Sequence, residues 1–334
     1  MKIACVLNPN SGTGRNPTKE ADEIVRCLGE LGHETEMFVP SSGPEAYERA
    51  REAVERGFER VVAVGGDGTV HQVARALTGS EAAMGIIPRG SGNGLARELG
   101  IPPMIEPACQ IIADGSVRIL DIGTFGDRYF FNIACIGFDA LIGQMFNARG
   151  EDAPRGVLPY FFLSLRAFQQ YKAQLTTFEL DGQRFERTPL MIVVANSRQY
   201  GSGALIAPSA EPDDGLLDIT IIQNVDALKV LFHLPKLFTG QIERMPEAEC
   251  RRAQDVVISA KNPLPVELDG EAVPSARVLR LGIIPARLRV CAPRVGENAT
   301  IFGVPLSKIP KEMEPFIRLF PRPKLQSLPP GQGR

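Results

Sequence analysis

The chain of 334 residues is long enough to bury a large core, and its length predicts roughly two domains. Hydrophobic residues make up 44% and charged residues 23%, and the formal net charge of −2 gives no general electrostatic reason to expect nucleic-acid binding. The three histidines and six cysteines form no CxxC or HExxH motif, which argues against structural zinc and zincin chemistry.

Residues 1–127 alternate predicted strands with predicted helices. The strand candidate IACVL comes first, and the helical stretch 17–33 ends near Gly32, where a C-cap is expected. A second helical stretch, 43–57, has alanines at helical spacing, and the strand-loop-helix plan then repeats. Near-continuous apolar strands joined by helices predict an α/β domain with a doubly wound parallel sheet.

Three loops of this domain are rich in glycine and lie between a strand and a helix: LNPNSGTGR, VGGDGTV and PRGSGNGLAR. In a doubly wound sheet, ligands bind at the carboxyl ends of the strands, where the loops enter helices. Glycine lets the backbone approach a ligand closely, and the helix N-terminus adds N–H groups and partial positive charge. None of the loops matches GxGxxG or GxxxxGK[ST], which disfavours a Rossmann dehydrogenase or a P-loop NTPase. The loops therefore indicate a different kind of phosphate-binding site.

Asp67 lies among these glycines, where a carboxylate repels phosphate unless a cation intervenes or the carboxylate acts as a base. Phosphoryl transfer supplies both uses, because Mg²⁺ neutralises the phosphates and a carboxylate can take the proton of an acceptor hydroxyl. Asp121, in ILDIG, is a second strand-end carboxylate that could join a water-mediated metal site. The alternatives are a hydrogen bond within its own turn for Asp67 and a structural role for Asp121.

Residues 128–295 contain mainly short strand candidates separated by Gly, Pro, Asn or Asp, as in a β-sandwich or barrel. The tetrapeptide ELDG closes two of these runs, at Asp181 and Gly182 and again at Asp269 and Gly270. Asp-Gly between two strand-like runs is the strongest short-range signal for a tight hairpin. Turn chemistry alone does not decide whether either aspartate also takes part in catalysis.

Two amphipathic helical stretches, 158–171 and 225–243, interrupt the strands. One interpretation of both stretches is ordinary core packing. The other is a hydrophobic entrance for an acyl chain, with Arg166, Lys229 and Lys236 near lipid headgroups. The N-terminal apolar run is too short for a signal peptide, and no stretch is long enough to span a bilayer. Any membrane contact is expected to be peripheral.

The motifs NPNSG, GGDGT, PRGSGNGLAR, LDIG, APSAEPDDGLLD and LDGE occur in the order seen in the diacylglycerol kinase catalytic family, which the chain resembles over residues 1–295. That family includes bacterial lipid kinases and the sphingosine and ceramide kinases. The resemblance implies a nucleotide-binding domain similar to those of NAD kinase and phosphofructokinase, at 1–127, and a β-sandwich domain for the lipid, at 128–295. Outside the resemblance, the Pro-rich extension, 296–334, is expected to be a loose tail or to pack back on the N-terminal domain.

The same resemblance implies an ATP- and Mg²⁺-dependent lipid kinase, cytoplasmic and peripheral at the inner membrane surface. Asp269 and Glu271 of LDGE would reach the cleft from the second domain, with Asp269 favoured as the general base and Asp67 as the runner-up. The nucleotide site would be lined by Asn8, Ser11, Gly12, Gly65, Gly66, Gly68, Thr69, Gly90, Ser91, Gly92 and Asn93.

The metal ligands implied by the resemblance are carboxylates. Asp67 and Asp121 would support the catalytic Mg²⁺, while Asp213 and Asp214 would hold a structural Mg²⁺, with a plain Asp-Gly turn as the alternative. Many bacterial members carry an Asp where this chain has Gly94, and a small residue there is more similar to the sphingosine and ceramide kinase branch. The acceptor therefore stays open between diacylglycerol and a sphingoid or ceramide-like lipid.

Two other functions stay open. NAD kinase shares GGDGT and the fold, but its usual Asn-Glu pair followed by a Gly-Ser-Thr-rich run is not found downstream. A nucleotide-binding regulator that has lost catalysis is supported only by Gly94 and opposed by the retained Asp67, Asp121 and Asp269. A homodimer is also left open.

Overall fold

The structure, a computed structural model, covers most of the chain. The described residues are 1–12, 16–147, 166–167, 170–201, 204–225, 236, 238–294, 300–301 and 304–305. Lys229, most of the two predicted amphipathic stretches and most of the predicted C-terminal extension lie outside them. Within the described ranges, every helix is too short or too polar to cross a bilayer.

The N-terminal half is a parallel sheet whose strands alternate with helices, as the sequence predicts. Its strands are β1 (Lys2–Leu7), β2 (Glu34–Phe38), β3 (Arg60–Gly65) and β4 (Ala83–Pro88). Its helices are α1 (Pro17–Glu30), α2 (Gly43–Glu55), α3 (Asp67–Leu77), α4 (Gly94–Glu98) and α5 (Ile105–Asp114). The strand order is β4-β3-β1-β2, and all pairs are parallel. Strand β4 is buried along its whole length, which explains its continuous apolar sequence.

The helices of this half differ in how they begin. Asn16 Oδ1 caps α1 by accepting hydrogen bonds from two backbone N–H groups at 3.0 and 3.3 Å, and Ser42 Oγ caps α2. Helix α3 begins after Gly66, which offers no side chain as a cap. The first turn of α3 therefore keeps backbone N–H groups without an intrahelical partner.

The C-terminal half is built mainly from antiparallel strands. They are β5 (Ser116–Phe125), β6 (Arg128–Phe130), β7 (Ile133–Gly137), β8 (Thr176–Leu180), β9 (Gln183–Arg187), β10 (Pro189–Ala195), β11 (Gln199–Gly201), β12 (Ala204–Leu205), β13 (Leu217–Gln223), β14 (Ala248–Ala253), β15 (Asp255–Leu268), β16 (Glu271–Ala292), β17 (Thr300–Ile301) and β18 (Val304–Pro305). Helix α6 (Phe138–Asn147) follows β7, and a 3₁₀ turn (Ile242–Arg244) precedes β14. One continuous sheet runs in the order β14-β13-β10-β7-β15-β16 and then into β4.

Both ELDG segments form two-residue hairpin turns, as predicted. Asp181 and Gly182 connect β8 to β9 with φ values of 46° and 80°, and Asp269 and Gly270 connect β15 to β16 with φ values of 47° and 89°. Positive φ at both central residues is the property of the turn type that matches strand twist, and Asp-Gly adopts it readily.

The long strand β16 joins the two halves. It pairs with β15 and β5 in antiparallel fashion, and Val290 near its end pairs in parallel with Met84 of β4. Leu288 and Val290 are fully buried in the hydrophobic core of the parallel sheet. The chain therefore returns to its N-terminal half through β16, a crossing that the predicted boundary at residue 127 did not include.

Asp121 of β5 fixes this return. Its Oδ1 accepts the N–H of Ala286 at 2.7 Å, and its Oδ2 accepts the N–H of Gly215 at 2.6 Å. Ala286 lies in a β16 irregularity with a φ of 50°, a left-handed conformation that is unfavourable for alanine. The buried carboxylate therefore holds together three segments that are distant in sequence.

Glu267 of β15 is a partly buried acid packed on helix α6. Its carboxylate occupies the space beside Gly143, so that a β-carbon on this glycine would overlap it. Burial, and next the negative charges of Asp139 and Asp269, raise the pKa of Glu267 to about 8. The folded protein therefore keeps this carboxyl protonated at pH values where the unfolded chain releases the proton.

We predict that Asp121→Asn lowers the free energy of unfolding by about 2–3 kcal/mol, because the amide nitrogen faces a backbone N–H that then has no acceptor. Urea unfolding, measured once with EDTA and once with Mg²⁺, checks this. A loss that appears only with Mg²⁺ contradicts the backbone role and favours a metal role for this aspartate.

We predict that Glu267→Gln makes stability less dependent on pH. In wild type the folded state binds a proton that the unfolded state lacks between pH 4.5 and about 8, so this residue makes stability fall as pH rises. The slope is at most about 1.4 kcal/mol per pH unit. The measurement is the free energy of unfolding at pH 5, 6.5 and 8. If this free energy changes with pH in the same way in wild type and variant, Glu267 is not held protonated in the folded state.

Candidate active site

The candidate site is built around the N-terminus of α3. This helix starts where β3 ends, at the carboxyl edge of the parallel sheet, and its first turn has no side-chain cap. Gly68 in this turn is exposed. Free N–H groups and the partial positive charge of a helix N-terminus favour an anionic group such as a phosphate.

The three glycine-rich loops meet at this helix. Asn8 of the first loop donates from Nδ2 to Oγ1 of the buried Thr69 at 3.1 Å, and Asn8 O accepts the N–H of Ser11 at 3.2 Å. A β-carbon added to Gly90 of the third loop would lie 2.7 Å from the Cα atom of Gly66. This backbone approach requires glycine, and it brings the second and third loops together.

The remaining loop residues lie around the same contacts. Gly65 packs against the Thr69 side chain so closely that a β-carbon would overlap it. Gly12 has a φ of 86° at the end of the described part of the first loop, and Ser91 is exposed in the third loop. Asn93 is left-handed, and its side-chain amide bonds to the backbone N–H and carbonyl of Gly90 at 2.9 and 2.7 Å.

Asp67 connects α3 to the third loop. Its Oδ2 accepts the N–H of Asn93 at 2.8 Å, and its Oδ1 accepts the N–H of Gly94 at 2.7 Å. A β-carbon at Gly92 would lie 2.5 Å from the same Oδ2. A carboxylate has about four acceptor positions, so about two of them stay free. The hydrogen bonds of Asp67 to Asn93 and Gly94 thus lead to another loop.

Asp269 brings the β15–β16 turn onto α3, and its side chain is only 4% exposed. Its Oδ1 accepts the N–H groups of Asn132 and Ile133 at 2.9 and 3.0 Å. Its Oδ2 accepts the N–H of Phe131 at 2.7 Å and lies 3.3 Å from Nδ1 of His71. The three N–H groups and the imidazole together occupy about all the acceptor positions that a carboxylate has.

Glu271, the first residue of β16, is exposed and lies beside the first turn of α3, one turn before His71. A β-carbon on Gly68 would lie 4.0 Å from Glu271 Oε1. The β15–β16 turn therefore runs along α3, with Asp269 beside His71 and Glu271 beside the uncapped first turn. The structure thus brings Asp67, Asp269 and Glu271 to one helix.

His71 was not among the residues that the sequence singled out. It lies one helical turn after Asp67 on α3, its ring packs edge-on against Phe131 at 5.2 Å between centroids, and its side chain is 12% exposed. The spacing of four from Asp67 places both residues on one helical face. That spacing was the available signal, because the contact with Asp269 spans 198 residues.

The other predicted metal ligands do not lie in this group. Asp121 uses both oxygens on Ala286 and Gly215, as described above. Asp213 pairs with Arg118 at 2.6 Å, and Asp214 Oδ1 accepts the N–H of Leu216 at 3.0 Å. Among the residues that the structure describes, no three His, Cys, Asp or Glu side chains form a group able to hold a metal ion.

Buried polar contacts hold the second half of the chain against α4. Glu98 accepts hydrogen bonds from Nε and the backbone N–H of Arg198 at 2.9 and 3.2 Å. Burial raises the pKa of Glu98, although the Arg198 charge opposes the shift. A β-carbon on Gly94 would lie 3.5 Å from the Asn132 amide, and Asn132 Oδ1 accepts a hydrogen bond from Ser197 Oγ at 3.1 Å.

Comparison with known proteins gives matches over nearly the whole chain. Residues 2–125 match the diacylglycerol kinase catalytic domain, and residues 132–292 match the YegS C-terminal NAD kinase beta sandwich-like domain. The diacylglycerol kinase of Mycobacterium tuberculosis (strain ATCC 25618 / H37Rv) is 31% identical over 303 residues, which cover 88% of this chain and 96% of that protein. A protein of Chromohalobacter salexigens named "Probable lipid kinase YegS-like" is 33% identical, covering 82% of this chain and 89% of its own length.

A solved structure shows the same fold. The crystal structure of a diacylglycerol kinase from Bacillus anthracis str. Sterne superposes with a TM-score of 0.70 at 18% identity, covering 88% of this chain and 97% of that chain. The predicted fold class, an α/β domain followed by a β-sandwich domain, is confirmed. Because one relative is 31% identical over 88% of the chain and both domain models match in order, the chain belongs to the diacylglycerol kinase catalytic domain family.

Proposed function

We propose that the protein is an ATP- and Mg²⁺-dependent lipid kinase that transfers the γ-phosphate of ATP to a lipid hydroxyl. The observation that carries the proposal is the contact between the β15–β16 turn and α3. It places Glu271 beside the uncapped first turn of α3 and Asp269 beside the second turn, where a phosphate donor and an acceptor can meet.

The nucleotide phosphates are proposed to bind at the first turn of α3 and the surrounding loops. Transfer of a phosphoryl group depends mainly on positioning and on stabilisation of the charge on the phosphate oxygens. The uncapped N–H groups of α3 can supply such stabilisation. Asp67, through its bonds to Asn93 and Gly94, would hold the third loop in register with this helix.

The residues at α3 fit an Mg²⁺ ion that is bound together with a nucleotide. Mg²⁺ usually takes one or two protein carboxylates and completes its shell with phosphate oxygens and water. Asp67 keeps free acceptor positions, and Glu271 is exposed beside Gly68, so we propose these two carboxylates as its protein contacts. When bound, Mg²⁺ would neutralise the negative charge of the phosphates. Asp121 is only 3% exposed and its carboxylate bonds to Gly215 and Ala286, so the proposal does not include it.

The lipid that accepts the phosphate is proposed to bind toward the second domain. The relative from Mycobacterium tuberculosis carries the name diacylglycerol kinase, which supports diacylglycerol as the first acceptor to test. Gly94, a small residue that resembles the sphingosine and ceramide kinase branch, keeps those lipids in the test. Asp269, Asp67 and Glu271 are the predicted catalytic carboxylates. Peripheral contact with a membrane surface also belongs to this proposal.

We predict transfer of radiolabelled phosphate from ATP to at least one lipid in a panel of diacylglycerol, sphingosine and ceramide vesicles. The measurement is labelled lipid after extraction, with Mg²⁺ and with EDTA. Labelling of NAD instead of lipid would establish the NAD kinase alternative. ATP binding without transfer to any acceptor would favour a regulator that has lost catalysis.

We predict that Asp67→Asn lowers kcat by about 100-fold or more, because an amide removes the negative charge proposed to face the metal and weakens the contact with the third loop. The matched control is Asp181→Asn in the other ELDG turn, which changes the same residue type far from α3 and leaves kcat within about threefold. Equal activity of Asp67→Asn and wild type would overturn the site.

A further inference from the structure

His71 and Asp269 form a pair whose geometry fixes the role of each nitrogen of the imidazole ring. Asp269 is a nearly buried carboxylate, and its Oδ2 faces Nδ1 of His71 at 3.3 Å. Three backbone N–H groups donate to the same carboxylate, which therefore acts as an acceptor, and we assign the hydrogen of this contact to Nδ1. In a neutral imidazole the other nitrogen, Nε2, is then an unprotonated acceptor.

The Nε2 atom of His71 is available for a reaction. Its side chain is 12% exposed, and Nε2 makes no hydrogen bond within the described ranges, whereas Nδ1 bonds to Asp269. His71 shares a helical face with Asp67. Asp67 lies one turn closer to the N-terminal end of α3, where the phosphates are proposed to bind. The free nitrogen is therefore on the side of α3 where donor and acceptor are proposed to meet.

Asp269 itself is poorly arranged to take a proton from a substrate. Its oxygens accept three backbone N–H groups in addition to the His71 contact. Protonation would require one of these backbone groups to lose its acceptor, which costs roughly 1–3 kcal/mol for a buried group. The side chain is 4% exposed, so little of it is open to a lipid hydroxyl.

The second ELDG turn is an internal comparison. Asp181 has nearly the same φ as Asp269, and its oxygens also accept backbone N–H groups, those of Gln254 and Asp255 at 2.9–3.3 Å. No histidine contacts Asp181 among the described residues. The backbone contacts are thus a common property of the turn, and the imidazole is what distinguishes Asp269.

We propose that His71 is a catalytic residue that takes the proton of the acceptor hydroxyl on Nε2, while Asp269 positions the ring and stabilises its charged form. This inference rests on the proposed lipid kinase function and deepens it. It moves the base function from Asp269, the residue that the family resemblance implied, to the histidine that Asp269 contacts.

In the proposed step, a lipid alcohol reacts with ATP. The hydroxyl oxygen forms a bond to the γ-phosphorus, and the bond between the γ-phosphorus and the oxygen that bridges to the β-phosphate breaks, leaving ADP. The hydroxyl proton moves to Nε2 of His71, which becomes an imidazolium beside the Asp269 carboxylate and later gives the proton to solvent. No redox change takes place.

Three carboxylates and one guanidinium lie around His71, so positive charge that forms on the ring during proton transfer is stabilised. Asp269 contacts the ring, Asp67 and Arg75 lie one turn away on either side of His71 on α3, and Glu271 lies beside Gly68. Arg75 stacks on Tyr47 at 4.2 Å from the ring centroid. A neutral imidazole approaches phosphate without the repulsion that a second carboxylate would add.

The test measures kcat and KM for ATP in His71→Gln and His71→Ala, with radiolabel transfer to the lipid that wild type uses. Glutamine can still donate a hydrogen bond to Asp269 but cannot act as a base. We expect kcat to fall about 100-fold or more in both variants with KM for ATP within about threefold. His33→Gln, at the opposite edge of the parallel sheet before β2, is the matched control and keeps wild-type kcat.

Added imidazole distinguishes a base from a positioning residue. We expect imidazole to raise kcat of His71→Ala at least tenfold in a concentration-dependent way and to leave wild type unchanged. Absence of rescue in folded His71→Ala, or near-wild-type kcat in His71→Gln, overturns the proposal. Thermal unfolding and ATP binding of each variant check the fold. An inactive wild type would instead refute the proposed function, before any variant is compared.

Discussion

One buried carboxylate connects the two halves of this protein at its candidate site. Asp269 accepts the backbone N–H groups of residues 131–133 and contacts His71 of α3. Hydrogen bonds to a charged acceptor each contribute roughly 1.5–3 kcal/mol, so this set fixes the β15–β16 turn firmly. Because the turn is fixed, Glu271 lies beside Gly68 at the N-terminal end of α3. The proposed arrangement of the phosphate donor and the lipid acceptor depends on this contact.

The sequence predicted those parts of the fold and site that follow from local rules. Apolar periodicity predicted the parallel sheet, and the glycine-rich loops were expected to share one edge because the carboxyl ends of parallel strands meet there. The contacts among Asn8, Thr69, Gly66 and Gly90 agree with that expectation. The two Asp-Gly turns were predicted for a local reason as well, since both residues tolerate positive φ.

The remaining features depend on contacts between residues that are distant in sequence. The sequence predicts a metal role for Asp121 at a strand end, whereas its bonds to Gly215 and Ala286, which are 94 and 165 residues away, have no local signal. The contact between His71 and Asp269 of the β15–β16 turn spans 198 residues and has no local signal in the sequence. The return of β16 to the first core also has no local signal, because it is specified by pairing with β5 and β4.

The most direct test of the account is a double-mutant cycle between His71 and Asp269, with kcat for phosphate transfer to lipid as the measured quantity. If the two residues act as one unit, the double variant His71→Gln/Asp269→Asn is no more than about threefold slower than the slower single variant. If the two losses multiply, the residues act independently. Multiplied losses would contradict the claim that Asp269 works through His71.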